Sequence, residues 1–350
     1  MSAGSTAAND GHELRPAPDR APQARSSVSV VIPAKNEART ITRCLEGVVA
    51  SLPADGEVIV VDGASSDATR QLVLTFAERD PRVRLVHNPT GITPRGLNAG
   101  IRASVGTVVV RMDAHSRPPA NYIPRLLALL QATGAWNVGG IQVREGEGVM
   151  GRAVAAATSS PIGIGDSALL TDQSGRVETV YLGCWPRWVF DRVGLFDEEL
   201  ERNQDDEHND RILEAGGLIY CDPTVRIAYQ ARSTLRALFR QYRQFGTWKV
   251  RVFQKHPRAL RMRHVVPAAW VAFLNVGLVS AVASPAARVV LVSGVGAYGL
   301  IIGREARRLS KADTPTSAIF AALATIHAAY GLGLWWGLIR FRFRRRRGSD

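Results

Sequence analysis

Between residue 28 and about residue 119 the chain alternates short apolar runs with segments of helical spacing, and this pattern limits the fold more than any other feature. Strands are expected at 28–32, 57–62, 83–87 and 107–113, with helices at about 38–51, 67–78 and 93–103 between them. Strand and helix in turn, joined by short connections, build a mostly parallel sheet with helices on both faces, an α/β fold. Polar residues gather where the expected strands end, at 33–37, 62–67 and 113–115. Open α/β sheets bind ligands at those carboxyl ends. A less regular stretch follows, 121–229, read as the acceptor half of the same domain. Its Trp185-Pro186 looks exposed.

The rest of the chain has different chemistry. Of 44 Lys and Arg, 21 fall after residue 230 against 3 acids, so residues 1–230 carry a net charge of −5 and the remainder +18. A nucleic-acid binder more often spreads basic charge over its folded domain. Here the charge flanks apolar stretches, which suits an anionic membrane surface and gives no reason to invoke nucleic acid. Residues 231–264 hold ten Lys and Arg and no acid. Leu235, Leu238, Phe239, Tyr242, Phe245, Trp248, Val252 and Phe253 recur there at helical spacing, the pattern of an amphipathic helix lying in a membrane interface. Residues 265–283 are uncharged and long enough to cross a bilayer, and 287–303 and 314–339 are further candidate spans. Three full crossings place the arginine-rich tail, 340–350, on the side opposite a cytoplasmic domain, against the positive-inside rule. A third segment that dips and returns, or a second that does not cross, removes that conflict. Residues 1–27 lack an apolar leader core and read as a disordered tail. Cys44, Cys184 and Cys221 form no C-x-x-C pair and read as isolated thiols in a reducing compartment.

Three carboxylates stand at points where chemistry is expected. The first strand runs into Pro33-Ala-Lys-Asn-Glu37, the second ends Val61-Asp62-Gly63-Ala-Ser-Ser-Asp67-Ala-Thr69, and the fourth ends Arg111-Met-Asp113-Ala-His115. Asp67 is placed to cap the next helix. The strand-Pro-x-x-Asn-Glu and Val-Asp-Gly-x-Ser-x-Asp-x-Thr motifs, about 25 residues apart, resemble the donor half of the family 2 inverting glycosyltransferases and their GT-A fold. The Asp-Ala-His segment is similar to that of the succinoglycan-type membrane-associated glucosyltransferases in that family.

The resemblance implies a nucleotide-sugar donor, expected to be a UDP-sugar, held by Pro33, Glu37, Asp62, Arg95, Asn98 and Asp113. It implies a divalent cation, Mn²⁺ or Mg²⁺, at Asp113 on the donor diphosphate. His115 either joins Asp113 as a ligand, which suits Mn²⁺ better than Mg²⁺, or hydrogen-bonds a neighbouring group. Asn203-Gln-Asp205-Asp-Glu resembles the family's Glu-Asp motif, with Asp205 aligned to the catalytic base. On the acceptor side the implied contacts are Trp185, which either stacks on a sugar or belongs to the core, and Gln241, Trp248 and Lys249. The expected activity is transfer of one hexose to a lipid-linked saccharide at the cytoplasmic face of the inner membrane, in exopolysaccharide or envelope glycan synthesis. A polyprenyl-phosphate hexosyltransferase is the alternative on the same fold, and a non-catalytic nucleotide-sugar-binding membrane protein is the alternative of another class. A Rossmann oxidoreductase is disfavoured, because the first strand is followed by Pro-Ala-Lys-Asn-Glu-Ala and not by G-x-G-x-x-G.

Overall fold

A computed structural model describes residues 27–165 and 170–342. The expected N-terminal tail, apart from Ser27, and the arginine run at 343–350 lie outside the described residues.

The alternation forms as expected. β1 (Val28–Ala34), β2 (Glu57–Asp62), β3 (Val83–His87) and β4 (Val108–Arg111) are separated by α1 (Ile41–Ser51), α2 (Thr69–Arg79) and α3 (Thr93–Ala103). Then come α4 (Tyr122–Thr133), β5 (Asn137–Glu145), α5 (Gly148–Thr158), α6 (Pro161–Ile164), β6 (Gly175–Arg176), β7 (Tyr181–Pro186), α7 (Trp188–Val193), α8 (Gln204–Glu214) and β8 (Ile219–Gln230). All eight strands join one sheet in the order β3-β2-β1-β4-β7-β5-β8-β6. The first four are mutually parallel, and β7 runs antiparallel to both of its neighbours.

Period-2 alternation sends the strand side chains into two cores. Val30, Ile32, Val58 and Val60 meet Cys44, Leu45 and Val48 of α1 and Ile123 and Leu126 of α4. Val31, Ile59, Val61 and Val109 meet Leu97 and Ile101 of α3, Phe190 of α7 and Ile212 of α8. All three cysteines are buried and unpaired. α1 starts three residues later than its spacing suggests, because Glu37–Thr40 forms a turn in which Thr40 and Ile41 N–H both donate to the Glu37 carbonyl. Asp67 lies two residues ahead of α2 and accepts from the backbone N–H of both Thr69 and Ala38. It fastens two loops together as well as closing the end of a helix.

Beyond the sheet come α9 (Leu235–Lys255), α10 (Met262–Ala283), α11 (Pro285–Leu309) and α12 (Thr316–Phe341). The last three are each long and apolar enough to cross a membrane. They are not equivalent: 6% of the apolar stretch of α10 and of α11 is buried inside the protein, against 50% for α12. α12 packs along α9, and glycines set their spacing. A Cβ on Gly246 would meet the Tyr330 carbonyl, one on Gly333 the Arg243 carbonyl, and one on Gly337 the Thr247 carbonyl. Small residues at such a seam let two helix backbones approach closely.

The C-terminal half of α9 departs from the expected interface helix. Gly246 through Val252 are all buried, including Lys249 and Arg251. These cations face the sheet domain and not a membrane surface: Arg251 forms a two-pronged ion pair with Glu199 at 3.0 Å, and Lys255 pairs with Asp197 and Glu199. The acids missing from 231–264 are supplied by the segment before α8. Arg236, Arg240 and Arg243, in the N-terminal half, remain exposed.

Candidate active site

The loops after β1 and β2 are stapled to each other. Asn36, held at a left-handed φ of 57°, donates its backbone N–H to Ser65 Oγ and accepts from the Ser66 N–H through Oδ1. Glu37 N–H donates to Thr69 Oγ1. Gly91 approaches from the β3 loop at φ +63°, and a Cβ there would meet Lys35 and the Gly63 carbonyl. Asparagine tolerates the left-handed region, and glycine adopts it freely, which is why those types stand at these corners.

β4 ends under this shelf. Arg111, its last residue, is 8% exposed and reaches two carboxylates. Its Nη2 donates to Asp113 Oδ1 at 3.1 Å, and its Nη1 lies 3.5 Å from Asp205 Oδ2. Burial opposes the charge on this guanidinium, but the two carboxylates outweigh it and hold Arg111 firmly protonated. Asp205 sits in the first turn of α8, where the helix dipole favours an anion. Its side chain keeps 44% of its exposure, opening toward the cleft. Depth in the protein and the adjacent Asp206 carboxylate push Asp205 above the usual aspartate range, against the pull of Arg111. A carboxylate raised in this way is, in its ionised form, a better proton acceptor.

His115 and Glu37 meet across the cleft, with Nδ1 3.1 Å from Oε1. That contact raises His115 in spite of burial. Burial raises Glu37, but hydrogen bonds from His115 and Thr40 outweigh it and hold the carboxyl below its ordinary value. His115 is therefore engaged with Glu37 through Nδ1. Among the described residues no group of three His, Cys, Asp or Glu side chains is gathered to hold a metal. Asp113 stands as a single carboxylate. That fits an ion which draws most of its ligands from substrate phosphate and water, as Mg²⁺ and Mn²⁺ do on nucleotide diphosphates.

Pro33, Glu37, Asp113, His115, Asp205, Gln241 and Lys249 all line one cleft of about 1260 Å³. Lys249 Nζ bonds Asp206 at 2.7 Å, and Gln241 Nε2 donates to Tyr229 Oη at 3.0 Å. Five expected site residues are placed elsewhere. Asp62 is 2% exposed and spends a carboxylate oxygen on the Ser65 N–H, shaping its loop. Arg95 pairs with Glu198. Asn98 is 1% exposed and exchanges two hydrogen bonds with the Phe196 backbone, tying α3 to the segment before α8. Trp185 looked exposed but is buried. β7 runs between β4 and β5, and alternation turns the indole into a cluster with Phe190, Phe196 and His208. Trp248 packs on Phe341 beneath the Arg340 guanidinium, in the seam between α9 and α12.

Sequence reasoning did not single out Arg111, Asn36 or Arg144 as site residues, and all three line the cleft. A charged residue closing an otherwise apolar strand, Val-Val-Val-Arg, is the signal that marks Arg111. Burying a cation there is unfavourable without acidic partners above it.

A mixed, mostly parallel sheet with acidic and basic side chains converging at the strand ends is a GT-A-like architecture. The profile of "Glycosyl transferase family 2" matches residues 29–162. "Succinoglycan biosynthesis protein ExoA" of Rhizobium meliloti (strain 1021) is 31% identical over 330 residues, 91% of this chain and 97% of that protein. The chain belongs to glycosyltransferase family 2 and is a glycosyltransferase. A more distant relative is the "dolichyl N-acetyl-alpha-D-glucosaminyl phosphate 3-beta-D-2,3-diacetamido-2,3-dideoxy-beta-D-glucuronosyltransferase" of Methanococcus voltae. It is 23% identical over 65% of this chain and 74% of its own length. Among solved structures, the mannosyltransferase PcManGT from Pyrobaculum calidifontis, in complex with GDP-Man and Mn²⁺, superposes with a TM-score of 0.62 at 22% identity. The match covers 90% of this chain and 88% of that one.

Proposed function

We propose that this enzyme transfers a hexose from a nucleotide-diphosphate sugar to a lipid-linked saccharide in polysaccharide synthesis at the cytoplasmic face of a membrane. The observation that carries the reading is the shape of the cleft. One continuous space begins at Pro33, Glu37 and Asp113, passes Asp205, and ends among Val266, Trp270, Tyr298, Ile302 and Ile326 on α10, α11 and α12. A polar end and an apolar end joined at a carboxylate suit a water-borne donor meeting a membrane-borne acceptor.

The chemistry assigned to each side chain follows from its position. The stapled loops fix the donor's nucleoside and keep its orientation. Asp113 is the residue that would hold a divalent ion, which neutralises diphosphate charge when bound. Arg111 adds a fixed positive charge beside the same carboxylate, favours the ionised form of Asp205 and aims it. Asp205 accepts the proton of the acceptor hydroxyl as that oxygen attacks the anomeric carbon from the face opposite the leaving diphosphate, and configuration inverts in one displacement. The relatives support the biosynthetic setting: one is named for succinoglycan synthesis and another for transfer to a dolichyl-phosphate-linked sugar.

The test is transfer from a panel of radiolabelled nucleotide-sugars into the lipid extract of membranes carrying wild-type enzyme or Asp205→Asn. Label entering lipid with the wild type and not with the variant supports acceptor and base together. Label that survives in the variant identifies a phosphate acceptor, which needs no base, and replaces this reading with the polyprenyl-phosphate one. Release of free nucleotide diphosphate with no labelled lipid overturns the lipid acceptor.

A further inference from the structure

Among the described residues, one half-buried cation lining the cleft stands without a counter-ion. Arg144, near the end of β5, is half-buried and lines the cavity beside Gln142, two residues earlier on the same strand face. Among the described residues no ion pair or hydrogen bond is made by its guanidinium, and its surroundings are the phenols of Tyr242, Tyr229 and Tyr181. The other deeply placed cations of the cleft differ: Arg111 has Asp113 and Asp205, Lys249 has Asp206, and Arg263 has Glu178. Desolvating a guanidinium with no acid beside it is unfavourable, so its upkeep points to an anion that arrives with a ligand.

The place of this cation in the cleft decides which anion. Arg144 is the register partner of Tyr229 across the β5–β8 pairing. The Tyr229 ring lies 6.4 Å from that of His115 on the donor side, and the Tyr229 hydroxyl accepts from Gln241 of α9, which also bonds Arg232. Arg144 is thus one side-chain layer away from the donor end, on the side that opens toward α9 and the apolar helices. Lys35, another lining cation, stands instead at the stapled donor loops. Past Arg144 the lining turns apolar and aromatic, with Trp270 stacked on Tyr298 at 4.1 Å.

We propose that Arg144 is the anchor for the phosphate or diphosphate that joins the acceptor's sugar to its isoprenoid chain, and that the chain lies along the Trp270–Tyr298 wall between α10, α11 and α12. The proposal rests on the lipid-linked acceptor argued above and adds the residue that grips it. Planar guanidinium donors match phosphate oxygens in pairs, and the phenols around Arg144 supply further hydrogen bonds to the same group. The bound phosphate also fixes how far the acceptor hydroxyl sits from Asp205, so Arg144 sets which sugar of the lipid-linked glycan is presented.

The experiment measures binding apart from turnover, with the full-length enzyme in detergent. Farnesyl diphosphate is the probe for the acceptor anchor, inorganic pyrophosphate is the chain-free control, and UDP and GDP with Mn²⁺ report the donor end. The expected result is farnesyl diphosphate affinity reduced about tenfold or more in Arg144→Gln and partly restored in Arg144→Lys, which keeps the charge but not the paired donors, with nucleotide affinity unchanged. Unchanged nucleotide binding also shows that the variant is folded. Nucleotide affinity falling in parallel assigns Arg144 to the donor diphosphate and overturns the proposal, as does farnesyl diphosphate affinity indifferent to the substitution. Pyrophosphate binding as tightly as farnesyl diphosphate removes the chain-binding wall. An enzyme that labels lipid yet shows no Arg144 dependence leaves the lipid acceptor standing and the anchor wrong. Wild-type enzyme that neither labels lipid nor binds farnesyl diphosphate overturns both.

Discussion

The two ends of the cleft are built by different means. At the donor end the fold makes the site locally: loops that leave adjacent parallel strands are tied by short neutral hydrogen bonds, Asn36 to Ser65 and Ser66, and Glu37 to Thr69. At the end proposed for the acceptor the wall is a separate helix, α9, pinned by ion pairs to the segment around Asp205: Lys249 to Asp206, Arg251 to Glu199, Lys255 to Asp197 and Glu199. A shelf made by strand ends is as rigid as the sheet beneath it. A wall held by charge pairs across 43 to 58 residues of chain depends on the helix staying docked. The donor end is therefore preformed, whereas the acceptor end is conditional on α9.

The experiments that break this comparison can be ordered by size. Asp113→Ala is expected to lower metal-stimulated turnover by about a hundredfold or more. Turnover that persists in the variant, and in wild-type enzyme with EDTA, would remove the metal from the donor end. Gly333→Leu should wedge α12 from the α9 backbone and lower the thermal midpoint by roughly 2–8 °C, with nucleotide affinity retained. A midpoint that does not move would show that the seam is slack and that α9 does not need α12. Asn36→Ala removes the two bonds that Asn36 Oδ1 accepts from the Ser66 N–H and hydroxyl, and the KM for the sugar donor should rise about fivefold with acceptor KM unchanged. A matching rise for the acceptor would mean that the two ends are not independent.

The smallest effect concerns pH. Burial, opposed mainly by Lys249, raises Asp210 to about 6. The folded state thus holds this proton where the unfolded chain has lost it. Its contribution favours folding at acid pH and is lost as pH climbs from the ordinary aspartate range through about 6. Asp210→Asn should accordingly raise the thermal midpoint more at pH 8 than at pH 5, by a few °C. Equal shifts at both pH values would show that the carboxyl is ionised throughout.

Much of the donor half was legible because its determinants are contiguous. β2, β3 and α3 fall where the alternation puts them, since each buries its own period against a neighbour a few tens of residues away. Pro33, Glu37 and Asp113 reach the cleft for the same reason, because they sit directly after strands whose ends are the site. The aromatics were harder to place. Trp185 and Trp248 look alike as sequence, a large ring beside polar residues, and only the pairing of β7 and the docking of α12 show that both rings are enclosed. Asn98 misled differently: its amide serves the Phe196 backbone nearly a hundred residues on, a partner no local pattern announces. The half-buried state of α12 did leave a trace, in Gly331, Gly333 and Gly337 on a helix otherwise apolar enough to face lipid, but the helices they pack against, α10 for Gly331 and α9 for the other two, are not written beside them.

α12 has one flank against α9 and the other turned outward. A beam with those two flanks sets the height and tilt of whatever is bolted to its inner side. On the proposed function, the acid, the basic wall and the mouth of the cleft would be held at a fixed level relative to a bilayer, so a lipid-borne acceptor would have only to wander in a plane to find them, while the soluble donor searches a volume. Reducing one search from three dimensions to two raises the encounter rate without adding a single contact, and it does so through three glycines that touch neither substrate.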